Sequence, residues 1–501
     1  MSEKWDRYFL RSDTLDAMPF DSATLTPMPH QLTGADFLAR RGFALLADEP
    51  GLGKTATAIL GADKCGARKV LVVCPAVVRQ HWAREFERWA SKASACSTET
   101  TTGERSEPAD EGQGRTWQKT EREVTVCEGF LDFVPGPGVT IVSHATLADE
   151  DVPGRKQKPG VGKSMKNLRL GAPYDLIVID EVHSFRAYDA IRTTSLLAPD
   201  MLWSWATRVW CLSGTPMVNS PADLWPLAYG PMRMQVSWWD WGNRFADPIS
   251  NGTGGFRFSG LKNAEELASV LRPHVLRRTL EGLGIKLPGL TIADARIDLP
   301  AGVMQRVMAD LEGWTAARLL QALEEKDELH DSALARVRKA LGLAKVADAV
   351  AAADGILRGG DGPVVVFFQH TSVREELFAE LRGRLGWKTS WIDGKVSKAQ
   401  LAAAEGWFQS GRLDCLLVQT DAGGVGISLT RANRVVVAEL PWTAVGLWQA
   451  VKRCHRITQT RAVLAEVLRA KGCWLEDALG AAIAKKHRAS EHLLSLLETR
   501  A

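Results

Sequence analysis

Asp48-Glu49-Pro50-Gly51-Leu52-Gly53-Lys54-Thr55 follows an apolar run from Gly42 to Ala47, and Asp180-Glu181-Val182-His183 follows a second run from Asp175 to Ile179. The first run reads as a buried strand and Thr55 to Lys64 as a helix, so the Gly-rich turn between them offers backbone N–H groups at a helix N-terminus. That is a polyphosphate cradle built from Asp48, Gly51, Leu52, Gly53, Lys54 and Thr55, in which Lys54 suits the β- and γ-phosphates as a point cation. The Thr55 hydroxyl and the Asp180 carboxylate suit Mg²⁺, which prefers oxygen ligands and usually keeps several waters. Glu181, one residue on, is placed to orient and deprotonate an attacking water. The strict spacing wants Gly where Asp48 stands, and a lone Gly-Leu-Gly also suits a plain turn. The second motif, ending a second strand, is what selects hydrolysis of a nucleoside triphosphate such as ATP.

The 501 residues are too many for one core and imply two or three domains. No apolar run approaches the roughly 18 residues of a membrane span, and Met1 to Asp13 is charged without an apolar core, so a cytosolic protein is expected, or a nuclear one if the source has a nucleus. The eight cysteines are scattered without a C-x-x-C pair, which indicates neither a zinc module nor a disulfide framework. A formal charge of +3 does not argue for nucleic-acid binding by itself.

Apolar runs alternate with helix-patterned segments twice over, the signature of parallel α/β layers. The first set has expected strands near 42–47, 69–74, 138–143, 175–179 and 207–213; the second near 364–369, 389–392, 414–419 and 434–439. Residues 260–357 carry long helical patterns without a strand series. Val78, Trp82, Phe86 and Trp89 recur at helical spacing after the second strand, a stripe that packs on a sheet. Arg79 in this helix is either solvated or in contact with a phosphate. Residues 91–125 read as an exposed insertion. Residues 153–170 form a basic loop that either follows a nucleic-acid backbone or has no special role.

Gln449-Ala-Val-Lys-Arg453-Cys-His-Arg456-Ile-Thr-Gln459 places Arg453 and Arg456 on one face if helical, late in the second set. Guanidinium groups bring planar, permanently charged donors to a phosphoryl transition state.

From about Met28 to Leu497 the chain resembles the Swi/Snf group of superfamily 2 helicase-like ATPases, through an ordered set of motifs. Pro29-His30-Gln31 with Gly34 and Phe37 resembles its adenine-reading entry motif, with Gln31 the adenine ligand. Leu71-Val-Val-Cys-Pro75 continuing to Trp82, and Ile141-Val-Ser143-His144, resemble strand-tracking segments. Leu212-Ser-Gly-Thr215-Pro216 resembles the coupling motif, and Arg277-Arg278 with Lys286-Leu-Pro288 the inter-domain signature. Val365-Val-Phe-Phe-Gln369-His370, Ile392-Asp393-Gly394, Gln419-Thr420 through Gly423, Gly424 and Gly426 to Thr430, and Glu439-Leu-Pro-Trp442 resemble motifs of the second lobe, the last leaning toward the annealing-helicase branch. Taken alone, Thr215-Pro216 equally suits a strand exit, and the three glycines suit close packing.

The resemblance implies two tandem RecA-like parallel-sheet lobes with an inter-lobe helical insertion: lobe 1 over 28–235 after an extension 1–27, a helical protrusion and linker over 236–345, and lobe 2 with brace helices over 346–501. It implies a monomeric, double-stranded-DNA-stimulated ATPase using ATP and Mg²⁺, which translocates without full strand separation, in a stand-alone form similar to bacterial or bacteriophage members. Arg453 and Arg456 would reach across to the nucleotide held by Gln31, the cradle and Gly424. Arg79, Ser143, Gln369, Thr420 and Trp442 would contact DNA, and Ser213, Thr215 and Gln449 would couple the two. Three departures stand out: Pro50 in the cradle, Thr458 for the usual Gly, and Lys452 for a common acidic residue. Other readings of the same residues are a strand-separating helicase on DNA or RNA, and a low-turnover clamp switched by ATP.

Overall fold

The computed structural model describes residues 26–90, 122–127, 137–148, 171–188, 190–197, 201–250, 256–300, 302–311, 313–316, 318–319, 332–420 and 427–499. Strand β1 (Phe43–Leu46) is where the predicted apolar run lies, and its burial on both faces follows from the lack of alternation. It belongs to a seven-stranded, all-parallel sheet with β2 (Lys69–Cys74), β3 (Val124–Val126), β4 (Gly138–Ser143), β5 (Tyr174–Asp180), β6 (Ala206–Leu212) and β9 (Val275–Leu276), in the order β3-β4-β2-β5-β6-β1-β9. Helices α1 (Pro29–Ala39), α2 (Lys54–Lys64) and α3 (Arg79–Ala90) cover it. Trp82 and Phe86 of α3 are buried on the sheet, as the stripe predicts.

A second parallel sheet has six strands: β10 (Leu290–Ile297), β11 (Val364–Phe368), β12 (Thr389–Ile392), β13 (Cys415–Gln419), β14 (Arg434–Val437) and β15 (Val463–Ala470), in the order β10-β15-β14-β11-β13-β12. Two such sheets in tandem are the RecA-like pair.

The stretch between the lobes is less helical than its sequence pattern. Besides α4 (Trp238–Phe245), α5 (Ala264–Leu271), α6 (Val303–Asp310) and α7 (Ser332–Ala344), it contains an antiparallel hairpin of β7 (Asp247–Ser250) with β8 (Phe256–Ser259). It also gives β9 to the first sheet and β10 to the second. β10 is an edge strand whose residues alternate between half-buried and exposed along much of its length, so it lacks the apolar run that marks a central strand. Residues 124 and 125, expected in an exposed insertion, form β3; the rest of that insertion up to residue 121 and the basic loop 153–170 lie outside the described residues.

Beyond α8 (Val346–Arg358), α9 (Lys398–Gln409) and α10 (Ala444–Val451), the chain ends in one 24-residue helix, α11 (Trp474–Leu497). Rather than bracing lobe 2 alone, it serves both lobes. Leu475, Leu479 and Ile483 enter the core of lobe 2, whereas Leu493 and Leu497 enter that of lobe 1. Each fully buried leucine contributes about 1.5–3 kcal/mol. Ser490 Oγ donates to Met217 O at 3.0 Å, and Lys486 Nζ to Asn219 Oδ1 at 2.8 Å. Among the described residues, no helix is long and apolar enough to cross a membrane.

Candidate active site

The ends of β1 and β5 open on the same edge of the first sheet, where parallel α/β sheets bind ligands. The turn after β1 takes the left-handed region at Gly51 (φ 100°) and Gly53 (φ 77°), which glycine reaches without a Cβ penalty. A Cβ on Gly53 would stand 2.5 Å from Gln31 Nε2, so the amide of the entry motif lies directly on the cradle. His30 Nε2 is 3.0 Å from Leu52 O. Pro50 packs on Gly214, where a Cβ would meet its Cδ at 2.9 Å; the proline that departs from the expected pattern is matched by a glycine in the coupling motif.

Lys54 Nζ donates to the carbonyl of Asp48 at 2.9 Å. Burial lowers the Lys54 pKa, while the Glu181, Asp48 and Asp180 carboxylates favour its charge. The Asp48 side chain is fully buried and faces away from this role: its Oδ1 accepts Arg278 N and Nε, both at 3.0 Å, and its Oδ2 pairs with Arg278 Nη2. Asp48, expected among nucleotide contacts, is therefore placed by its charge requirement against a buried arginine, and lends the cradle only its backbone. Arg277 Nη1 donates to Ala47 O at 2.8 Å.

At the end of β5, Asp180 Oδ2 accepts from Trp82 Nε1 at 2.9 Å, and Oδ1 from Glu181 N at 2.9 Å. Burial and the neighbouring Glu181 carboxylate push the Asp180 carboxyl up to about 6. Two adjoining half-buried acids of this kind suit a cation, and hard oxygen donors suit Mg²⁺. Glu181 is held below its usual value despite burial, by His183, whose Nδ1 is 3.2 Å from Glu181 Oε2. The same Nδ1 is 3.1 Å from Ser213 Oγ, which accepts from Thr215 N at 3.2 Å. The expected coupling residues Ser213 and Thr215 are thus joined to Glu181 through one imidazole.

Lobe 2 closes the site. Arg456 Cγ lies 4.0 Å from the position of a Cβ on Gly51, directly over the cradle. Arg453 is buried, and burial together with the like charge of Arg456 lowers its pKa to about 9, still charged at neutral pH. Glu405 of α9 faces both guanidiniums, and its Oε1 accepts Ser428 N at 2.7 Å. Gln459 Nε2 donates to the carbonyls of Thr430, Ala432 and Cys454, which fixes the loop carrying the arginines. Thr458 pairs with Thr430 through their hydroxyls at 2.8 Å. Gln449 is half-buried on α10, and Gly424 lies outside the described residues.

The expected DNA contacts are dispersed. Arg79 Nη1 donates to the Cys127 carbonyl, and Ser143 Oγ is 3.4 Å from Thr146 Oγ1. Thr420 is buried with its hydroxyl on Phe368 O at 3.2 Å, and Gln369 is buried with its N–H on Glu439 Oε2 at 2.7 Å. Trp442 is half-buried with Arg338 over its ring at 3.9 Å. Of these last three, Thr420 and Gln369 are buried in lobe 2, with the Thr420 hydroxyl spent on a backbone carbonyl, and Trp442 is partly covered by Arg338. Trp82, Glu405 and Arg278 are the site residues that sequence reading did not assign. For Trp82 a signal existed, a ring with a donor at the sheet-facing position of α3.

The model of the SNF2-related domain matches residues 30–304, and that of the helicase conserved C-terminal domain matches 348–458. Among curated proteins, the chain is 29% identical over 458 residues to the "SWI/SNF-related matrix-associated actin-dependent regulator of chromatin subfamily A-like protein 1" of Xenopus tropicalis, covering 89% of this chain and 42% of that protein. It is 25% identical over 472 residues to the mouse "DNA annealing helicase and endonuclease ZRANB3", covering 91% and 40%. The chain spans about two fifths of the length of these relatives. Among solved structures, the Sulfolobus solfataricus SWI2/SNF2 ATPase core in complex with dsDNA is 19% identical with a TM-score of 0.39, over 94% of this chain and 93% of that one.

Proposed function

The chain belongs to the SNF2-related family, and on that premise we propose that it is a DNA-dependent ATPase that translocates along double-stranded DNA without fully separating its strands. The observation that carries this reading is Arg456 of lobe 2 standing over Gly51 of lobe 1. A hydrolysis site completed from two lobes turns over only when they close, and that makes hydrolysis a movement.

Gln31 reads the base, while Gly51, Leu52, Gly53 and Lys54 hold the phosphates; Lys54 leaves the Asp48 carbonyl to do so. Thr55 and Asp180 would hold Mg²⁺, which when bound would neutralise charge on the phosphates. Glu181 takes the proton of the attacking water, and His183 holds Glu181 in place while linking it to Ser213. Arg453 and Arg456 stabilise the transferring phosphoryl group, a contribution of roughly 10³ to 10⁵ in turnover where such groups have been removed. Hydrolysis then ends the contact that favours closure, and DNA bound across both lobes is stepped. Contacts to phosphates dominate, so binding tolerates sequence and weakens with salt.

We further propose action on branched duplex in replication, recombination or repair, as a monomer; the mouse relative is named a DNA annealing helicase, and the Glu439-Leu-Pro-Trp442 motif leans toward that branch. Displacement of a third strand from a triplex tests the reading. ATP-dependent displacement without unwinding of a tailed duplex is expected. Unwinding with stimulation by single strands would assign a strand-separating helicase instead.

A further inference from the structure

Lys452 is the one departure from the resemblance that the site has not yet absorbed. It caps α10, with its N–H on Trp448 O at 2.8 Å, and immediately precedes Arg453. Its Nζ crosses the cleft to Glu49 Oε1 at 2.9 Å, and the two side chains are only 15% and 19% exposed. Glu49 is itself anchored on lobe 1. Its Oε2 accepts Leu280 N at 3.0 Å, and its own N–H donates to Arg278 O at 3.0 Å. Glu49 is thus a fixed anion at the entrance of the cradle, two residues before Gly51, and Lys452 is a cation four residues before Arg456. His455 Nε2 lies 2.7 Å from Pro288 O, which leads into β10 of the second sheet, so this contact fixes the arginine segment within lobe 2 and leaves Lys452–Glu49 as the contact that reaches the cradle.

We propose that Lys452 is a positioning residue that docks the arginine segment of lobe 2 onto the cradle through Glu49, so that Arg453 and Arg456 are in register before nucleotide arrives. The inference rests on the translocase reading for its consequence in turnover, but the docking itself does not depend on nucleotide. An acidic residue at 452, as the resemblance leads one to expect, would set like charge against Glu49 and favour separated lobes. In this chain an ion pair favours the docked arrangement of the arginine segment, beside the contacts that α11 makes with both lobes, where an acidic residue would oppose it. Lys452 touches neither phosphate nor water in this role. Its removal therefore raises the ATP concentration needed for closure and leaves the rate at saturation nearly intact.

Small-angle scattering of the full chain without nucleotide reads the docking directly, and steady-state turnover against ATP concentration reads its consequence. Lys452→Glu is expected to enlarge the radius of gyration and raise the KM for ATP by roughly 5-fold, with kcat within about 2-fold, the scale of a partly exposed ion pair. Lys452→Arg should match the wild type in both. The exchange Glu49→Lys with Lys452→Glu should return the radius of gyration toward the wild-type value. An unchanged radius of gyration in well-folded Lys452→Glu would overturn the proposal whatever the enzyme hydrolyses. A fall in kcat at unchanged KM would also overturn it, by making Lys452 part of the chemistry. Altered scattering with no turnover in any variant would retain the docking and fail the translocase reading alone.

Discussion

Trp82 Nε1 donates to Asp180 Oδ2 at 2.9 Å, which ties helix α3 to the carboxylate placed to hold Mg²⁺. Arg79 begins the same helix, one turn before Trp82, so a phosphate drawing on Arg79 would act on the site through a rigid element. Trp82→Phe keeps most of the packing and removes the donor. It is expected to raise the Mg²⁺ concentration for half-maximal turnover several-fold and to reduce stimulation by duplex, while the thermal midpoint shifts by only a few degrees. A Mg²⁺ titration of both proteins, with and without duplex, measures this.

Arg278→Met leaves the fully buried Asp48 carboxylate without its partner. Loss of one member of such a pair costs about 3–5 kcal/mol. The midpoint of denaturant unfolding should fall accordingly, and nucleotide affinity should fall with it because Asp48 also positions Lys54.

These two arrangements show where sequence reading stops. Lys54, Asp180 and Glu181 are legible because each sits beside an apolar run that can only be a buried strand. The Asp48–Arg278 pair spans 230 residues and the Trp82–Asp180 bond spans 98, so no local pattern names the partner in either, even where the Trp82 donor itself was legible. Strand β15 reads Val-Leu-Ala-Glu-Val-Leu-Arg-Ala, a string of good helix formers. It is extended because β10 and β14 flank it, and its Arg469 pairs through Nη1 and Nη2 with Asp294 and Asp477 from other elements. The helical pattern of 260–357 concealed β10 for a related reason, since an edge strand carries no long apolar run.

Stability should fall between pH 6.5 and 4 through His144, whose pKa burial lowers to about 4, and whose Nε2 donates to Asp180 O at 2.8 Å. The unfolded chain binds this proton at the ordinary 6.5, so the contribution of neutral His144 is complete above that value and is lost as pH falls toward 4. Asp180, raised from 3.8 to about 6, acts in the opposite sense from about pH 6 downward, over most of the same range, so the wild type alone shows a flattened profile. The difference between wild type and His144→Gln isolates the histidine. Unfolding free energies at several pH values should show a slope difference approaching about 1.4 kcal/mol per pH unit.

Arg456→Ala should leave ATP binding largely intact and lower kcat by orders of magnitude, since the guanidinium acts on the transition state rather than on the bound ground state. Lys54→Ala should abolish turnover. Equilibrium binding of a fluorescent ATP analogue, beside single-turnover rates, separates the two effects.

Steady-state ATP hydrolysis by the wild type and Glu181→Gln, at fixed low salt without nucleic acid and with duplex DNA, single-stranded DNA or RNA, tests the central claim most directly. The account predicts strong stimulation by duplex, lost in Glu181→Gln. Stimulation only by single strands or RNA, or equal turnover in Glu181→Gln, would contradict it.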